Sequence, residues 1–176
     1  FFFGWRTSMQ NLWDRILRSH KEEETLAAFL QRIPVFSHLK KRDFDYIKTL
    51  IHIRTYDPGE IIFEQGDPGS GMYIIRSGHV TLFTRDPRNR REDLSVLEPG
   101  DFFGETTIAT PAPRVISAVC NENCELIGLF RSDLFAVAER RPEIANRILL
   151  GLTSVISERL QSAILELRKH SAHEEA

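Results

Sequence analysis

Between Ile53 and Phe130 the apolar residues stop recurring at helical spacing and alternate every second position, in short runs broken by Gly/Pro turns. This constrains the fold more than any other feature, because alternation buries one face of a pleated strand and not one stripe of a helix. The spacing predicts strands at 53–56, 61–63, 72–75, 80–83, 94–97, 115–119 and 125–130. Asp57-Pro58-Gly59, the run Gly66-Asp67-Pro68-Gly69-Ser70-Gly71, Ser77-Gly78, a charged tip over 85–93 and Glu98-Pro99-Gly100-Asp101 separate them. Strands this short and this regularly spaced close into an antiparallel sandwich or jelly roll. The glycines are read as turn residues, with no chemistry assigned.

Helical periods flank this region. Leu12, Trp13, Ile16 and Leu17 predict a helix over 11–19, and Leu26, Phe29 and Leu30 another over 22–32 that Pro34 stops. Phe44, Ile47, Leu50 and Ile51 predict a third over 43–51. Beyond the strands, Ser132 or Asp133 can cap a helix over 134–140, and Pro142 suits the first turn of a final one. That helix carries Ala145, Leu149, Leu152, Ile156, Leu160, Ala163 and Leu167 in steps of three and four, a seam able to pair two helices. Ile144, Ile148, Val155 and Ile164 lie beside the seam, so the helix could equally lay a broad face on its own domain. The expectation is a mainly β (α+β) fold, an antiparallel β jelly-roll barrel flanked by N-terminal helices and a long C-terminal helix. Its divisions are a helical extension over 1–33, the jelly roll over 34–141, and a helix with tail over 142–176.

One stretch within the strand region carries chemistry. In Phe103-Gly104-Glu105-Thr106-Thr107-Ile108-Ala109, a strand-like apolar residue enters a glycine, a carboxylate follows, and a short helical turn begins over 106–109. Free backbone N–H groups at such a turn, with glycine allowing close approach, favour an anion. Arg114, after Pro113, adds a planar fork of donors suited to two phosphate oxygens. Glu105 would repel that anion unless it met a hydroxyl on the same ligand. The residues ask for a phosphate and a sugar hydroxyl a few ångströms apart.

This order, FGE followed after a short helix by PR and a strand, resembles the phosphate-binding cassette of cyclic nucleotide-binding domains. "PGEIIFEQGDPGSGMYIIRSGHV" similarly resembles the first barrel strands of that family, and "IPVFSHL" followed by a helix resembles how bacterial members begin. The resemblance implies that Arg114 pairs with the cyclic phosphate and Glu105 takes the ribose 2′-hydroxyl. Backbone N–H groups at Gly104, Thr107 and Val115 would complete the ring of donors, with Thr106 beside them. Spacing from the cassette arginine to Pro142 also matches the family, and carrying that register on places Arg159 as a lid residue over the base. Val115 lacks the hydroxyl that members selective for cyclic GMP carry after the arginine, which favours cyclic AMP. The cassette departs from the family at Thr106 and Thr107, where Leu and Ala are usual, and at Val115-Ile116, where small residues are usual. Ile116 would crowd the pocket.

Composition bounds the alternatives. At 176 residues the chain suits one domain with appendages, and a net charge of -2 with pI ≈ 6.3 leaves no electrostatic footprint for direct nucleic-acid binding. The sequence reading finds no apolar run near the ~20 residues that cross a bilayer and no signal-peptide pattern, giving a cytoplasmic expectation. The aromatics at 1–5 are expected to pack on the domain and not to touch a membrane. Cys120 and Cys124 are the only cysteines and are expected as free, partly buried thiols. Of six histidines only His79 falls in a barrel strand, and no His-x-His pair or serine elbow occurs, so neither a metal, a cofactor nor a catalytic residue is expected. A transcription factor of this family would continue into a helix-turn-helix and a kinase regulatory subunit would carry a second cassette, whereas the polar 169–176 segment reads as a terminus. Two readings stay open. One is a cyclic nucleotide sensor that signals to a downstream protein through its helices, with a homodimer formed through the last helix. The other is a degenerate barrel serving as a structural or interaction module.

Overall fold

The structure is a computed structural model that describes residues 26–174, with side chains described as far as residue 168. The aromatics at 1–5, the helix expected over 11–19 and the start of that expected over 22–32 fall outside the described residues; residues 26–30 are helical.

Ten strands form the barrel. They are β1 (His52–Tyr56), β2 (Ile61–Phe63), β3 (Pro68–Gly69), β4 (Gly71–Ser77), β5 (Val80–Arg85), β6 (Arg91–Leu97), β7 (Phe102–Phe103), β8 (Ala112–Pro113), β9 (Ser117–Cys120) and β10 (Cys124–Phe130). A first sheet runs in the order β1-β10-β4-β7 and a second in the order β2-β9-β5-β6, with β3 and β8 paired at one corner. Every pairing among them is antiparallel. Helices follow as α1 (Phe44–Ile47), α2 (Arg131–Arg140) and α3 (Pro142–Glu174). The jelly roll with flanking helices and a long C-terminal helix is therefore the architecture that the alternating pattern implied.

Alternation along β4 explains how one sheet serves two cores. Met72 and Ile74 face the helices, where they join Ile127, Leu129, Phe102, Phe36, Leu134 and Ile148. Ile75 faces the barrel interior with Phe63, Phe103, Ala118 and Leu126. Phe102 and Phe103 split the same way, so the residues that lead into the cassette are pinned from both sides. Cys120 and Cys124 are free and fully buried, and burial together with a hydrogen bond between them pushes the Cys120 thiol up to about 12. Burial thus keeps Cys120 a thiol at neutral pH, packed beside Cys124.

Several boundaries differ from the sequence reading, each for a local reason. The helix expected over 43–51 is a 3-10 turn (Lys41–Asp43) and then α1 only, because Thr49 N–H and Leu50 N–H close three-residue bonds to Tyr46 O and Ile47 O at 3.0 and 2.9 Å. That tighter exit delivers the chain to β1. The strand expected over 115–119 starts at Ser117, since Arg114 is tied to the preceding corner by Arg114 N–H to Asp67 O and Gly66 N–H to Arg114 O, both 2.8 Å. α2 begins at Arg131, and its cap is Asp133 reaching back to accept from Phe130 N–H at 3.0 Å. The charged tip shrinks to a short turn in the β5–β6 hairpin, whose Asp86 carboxyl is held below its ordinary value chiefly by the Arg90 backbone N–H.

Of the two faces proposed for α3, the one laid on its own domain is observed, and it takes in Ala145 and Leu152 of the seam. Ile144, Ala145, Ile148, Leu152 and Val155 are buried on the domain, whereas Leu149, Ile156, Leu160, Ile164 and Leu167 are exposed. Arg147 donates to the buried Asp43 carboxylate at 2.6 Å, and Gly151 brings the helix against the backbone of Val35. The expectation of no bilayer-length apolar run needs correction here. Within Pro142–Arg168 one 18-residue window reaches a mean hydropathy of 1.3, long and apolar enough by length and composition, because scattered leucines and isoleucines sum along the helix without forming one continuous run.

A Cβ at Gly151 would sit 2.1 Å from Val35 O, a backbone atom that cannot rotate away. Gly151→Ala should therefore destabilise the fold by roughly 1–3 kcal/mol through overpacking, outweighing the ~1 kcal/mol that alanine gains in a helix. Thermal denaturation of the variant checks this; a raised melting temperature would show that the helix does not seat on residues 34–36.

Candidate functional site

Phe103 ends β7, and Gly104 takes a left-handed conformation (φ 81°) that turns the chain into the 3-10 turn Glu105–Thr107. A side chain at Gly104 would be strained, and its Cβ would lie 2.6 Å from Arg114 Nη1. The turn is one residue earlier and tighter than the helix expected over 106–109. Its Thr107 N–H reaches back to Gly104 O at 3.4 Å, at the long limit of a hydrogen bond.

Arg114 comes to this turn from β8, which pairs with β3 so that Pro113 lies opposite Pro68. It is only 6% exposed, and burial pushes its guanidinium below its ordinary value, opposed by Tyr73, Asp67 and Glu105. Nη1 donates to Gly104 O at 3.1 Å and to Thr107 Oγ1 at 3.0 Å, and Nη2 donates to Gly71 O at 2.9 Å. Its Nε is buried with no hydrogen-bond partner. The Phe63 ring lies 4.2 Å from the guanidinium carbon. A cation is thus held by neutral acceptors and an aromatic face, with the Nε hydrogen and one Nη2 hydrogen unspent. Leaving such a donor buried costs about 1–3 kcal/mol, which an oxyanion would relieve.

Glu105 is the other buried charge, at 4% exposure. Its Oε1 accepts from Nη1 of Arg159, which reaches down from α3, donates a second bond to Phe102 O at 2.9 Å, and lies 4.7 Å over the Phe102 ring. Arg159 is half exposed, so the pair is worth about 1 kcal/mol after allowance for solvent. The expected lid residue therefore meets the expected sugar-binding carboxylate directly.

One cavity joins these groups. Gly104, Glu105, Thr106, Arg114, Val115 and Arg159 line it together with Phe63, Leu82, Phe103 and Ile116, and it encloses ≈ 430 Å³ including its open mouth. Thr107 stands behind Arg114, outside the lining, with its hydroxyl turned to the guanidinium. Val115 is 71% exposed at the lip, while Ile116 is half-buried within. Sequence reasoning missed Phe63, Leu82 and the 69–71 glycines. The glycine run was read as a plain turn, yet Gly71 supplies an acceptor for Arg114, and a Cβ at Gly69 would lie 2.9 Å from Arg114 Nε. The pairing of Pro68-Gly69 with Ala112-Pro113 makes this contact, and only a strand-pairing argument across more than forty residues would have found it. Among the described residues no group of three or more His, Cys, Asp or Glu side chains is placed to hold a metal ion.

Comparison with known proteins gives a consistent picture. The model of the cyclic nucleotide-binding domain matches residues 53–141. The cyclic AMP receptor protein of Thermus thermophilus is 36% identical over 134 residues, 76% of this chain and 60% of that protein. A cAMP-dependent protein kinase regulatory subunit of Hypocrea atroviridis is 29% identical over 57% of this chain and 21% of that protein. The crystal structure of the Thermus thermophilus catabolite activator protein aligns with a TM-score of 0.70 at 35% identity, covering 78% of this chain and 63% of that one. The chain thus spans less than two thirds of the length of each of these relatives.

Proposed function

Since the chain belongs to the cyclic nucleotide-binding domain family, we propose that it is a regulatory module that binds cyclic AMP and reports its occupancy through α3. The observation that carries this reading is Arg114, buried with an unspent Nε beside the cassette turn that also holds Glu105. The phosphate of a cyclic nucleotide takes the guanidinium, and the ribose 2′-hydroxyl donates to the Glu105 carboxylate. The base then lies toward Leu82, Val115 and Ile116. Val115 offers no hydroxyl to a guanine edge, which supports cyclic AMP over cyclic GMP.

Signalling follows from the carboxylate that ligand and helix share. Arg159 ties α3 to Glu105 and Phe102. A ribose hydroxyl arriving at Glu105 redistributes that carboxylate's hydrogen bonds, so occupancy and helix position bias one another. The exposed seam Leu149, Ile156, Leu160 and Leu167 is the surface on which a second copy pairs, and a downstream protein reads the outcome. A second reading, a barrel kept for protein interaction without nucleotide, is favoured by Ile116 projecting into the cavity. Calorimetric titration separates them.

Saturable heat with cyclic AMP, stronger than with cyclic GMP, is expected from the parent chain. Arg114→Ala should lose about 3–5 kcal/mol, a hundred- to several-thousand-fold in affinity, and Glu105→Ala about 1.5–3 kcal/mol. No binding by the parent, or undiminished binding by Arg114→Ala, overturns the assignment. Arg159→Ala should keep nucleotide affinity within about tenfold, since it removes no phosphate contact. Hydrogen exchange along 152–168 should nevertheless lose its response to nucleotide in that variant; a full response would mean that the helix is informed by another route. Leu160→Glu should abolish pairing in sedimentation without lowering nucleotide affinity, and an unchanged sedimentation coefficient in a dimeric parent would place the interface elsewhere.

A further inference from the structure

We propose that the Thr107 hydroxyl is the positioning residue for Arg114, holding one end of the guanidinium so that its Nε/Nη2 edge is the edge offered to a ligand phosphate. The inference rests on the nucleotide reading above but concerns a side chain to which neither the family resemblance nor the cavity lining gives a role.

The argument is a count of donors. A guanidinium has five N–H groups in a rigid plane. Both hydrogens of Nη1 are engaged, by Gly104 O and by Thr107 Oγ1. Nη2 spends one hydrogen on Gly71 O, and Thr107 Oγ1 lies 3.5 Å from that same carbonyl, which places both acceptors at the end shared by Nη1 and Nη2. The hydrogen on Nε and the outer hydrogen on Nη2 are left, side by side and parallel. That is the fork that grips two oxygens of one phosphate. Nε has no partner among the described residues, as this count requires.

Thr107 is fitted to hold the opposite end. It is 3% exposed, and its hydroxyl accepts from Arg114 while donating to Gly104 O at 3.2 Å, so both of its roles are used within the same turn. A Cβ at Gly69 would lie 2.8 Å from this hydroxyl and 2.9 Å from Arg114 Nε, so one bare backbone segment flanks hydroxyl and guanidinium together. With an apolar side chain at 107, Nη1 would lose an acceptor and the plane could turn about its last bond, spending ligand affinity on re-ordering it.

The test compares cyclic AMP titrations of the parent, Thr107→Ser and Thr107→Val, with the Arg114 Nε–H followed by nitrogen-15 NMR. Thr107→Val, which keeps the shape and removes the hydroxyl, should weaken binding about tenfold, whereas Thr107→Ser should stay within about threefold of the parent. Added to Arg114→Lys, Thr107→Val should cost nothing further, because the group it positions is gone. Thr107→Val, and not Thr107→Ser, should speed solvent exchange of the Arg114 Nε–H. Equal affinity of parent and Thr107→Val, an equal loss in Thr107→Ser, or a full loss in the Arg114→Lys background would each overturn the proposal. If the parent takes up no cyclic nucleotide, the ligand reading fails, and the exchange rates then decide the positioning role alone: unchanged rates in Thr107→Val refute it.

Discussion

A positive charge buried without a carboxylate bonded to it is the constraint around which this barrel is organised. Arg114 is removed from water and compensated by two carbonyl oxygens, one hydroxyl and an aromatic face. None of these acceptors is available unless the backbone is placed correctly. Gly104 must turn left-handed, the β3 and β8 segments must pair across the corner, and Phe63 must come round from β2. Removing a charge from water is costly enough that this arrangement would not persist by packing alone. On the proposed reading, an arriving phosphate would supply the missing counter-charge.

The sheet β1-β10-β4-β7 joins that corner to the helices by packing. Its two faces belong to different cores, and the cassette enters from β7, where Phe103 looks inward and Phe102 outward. Arg159 reads both halves of this junction, bonding the carbonyl of Phe102 and the carboxylate of Glu105. α3 is accordingly a helix with two environments. Its first turns are seated in the outer core, and its later turns carry apolar side chains into solvent beyond the point where Arg159 anchors it.

Much of this was legible in the sequence because it is local. The period-two alternation located seven of the ten strands, missing the two-residue β3, β7 and β8, and the order Gly104-Glu105 followed by Pro113-Arg114 identified the two charged groups by chemistry. What stayed hidden depends on contacts distant along the chain. Gly71 and Phe63 reach Arg114 only through strand pairing, and Val115 escapes the strand predicted for it because Arg114 is bonded to the 66–67 turn. The hydroxyl of Thr107 was noted as a departure from the family pattern, but its use could not be seen without knowing which end of the guanidinium it met. The sequence likewise left open how far α3 faces its own domain, and burial along the helix shows which of its residues do.

The contact between Gly151 and the carbonyl of Val35 ties a residue in the first third of the last helix to the stretch that precedes the barrel, and the Arg147–Asp43 bond repeats that link one turn earlier. Backbone touching backbone leaves no compliant side chain to absorb displacement. On the proposed reading, a swing of the terminal helix would carry residues 34–43 with it, as one axle turns two arms.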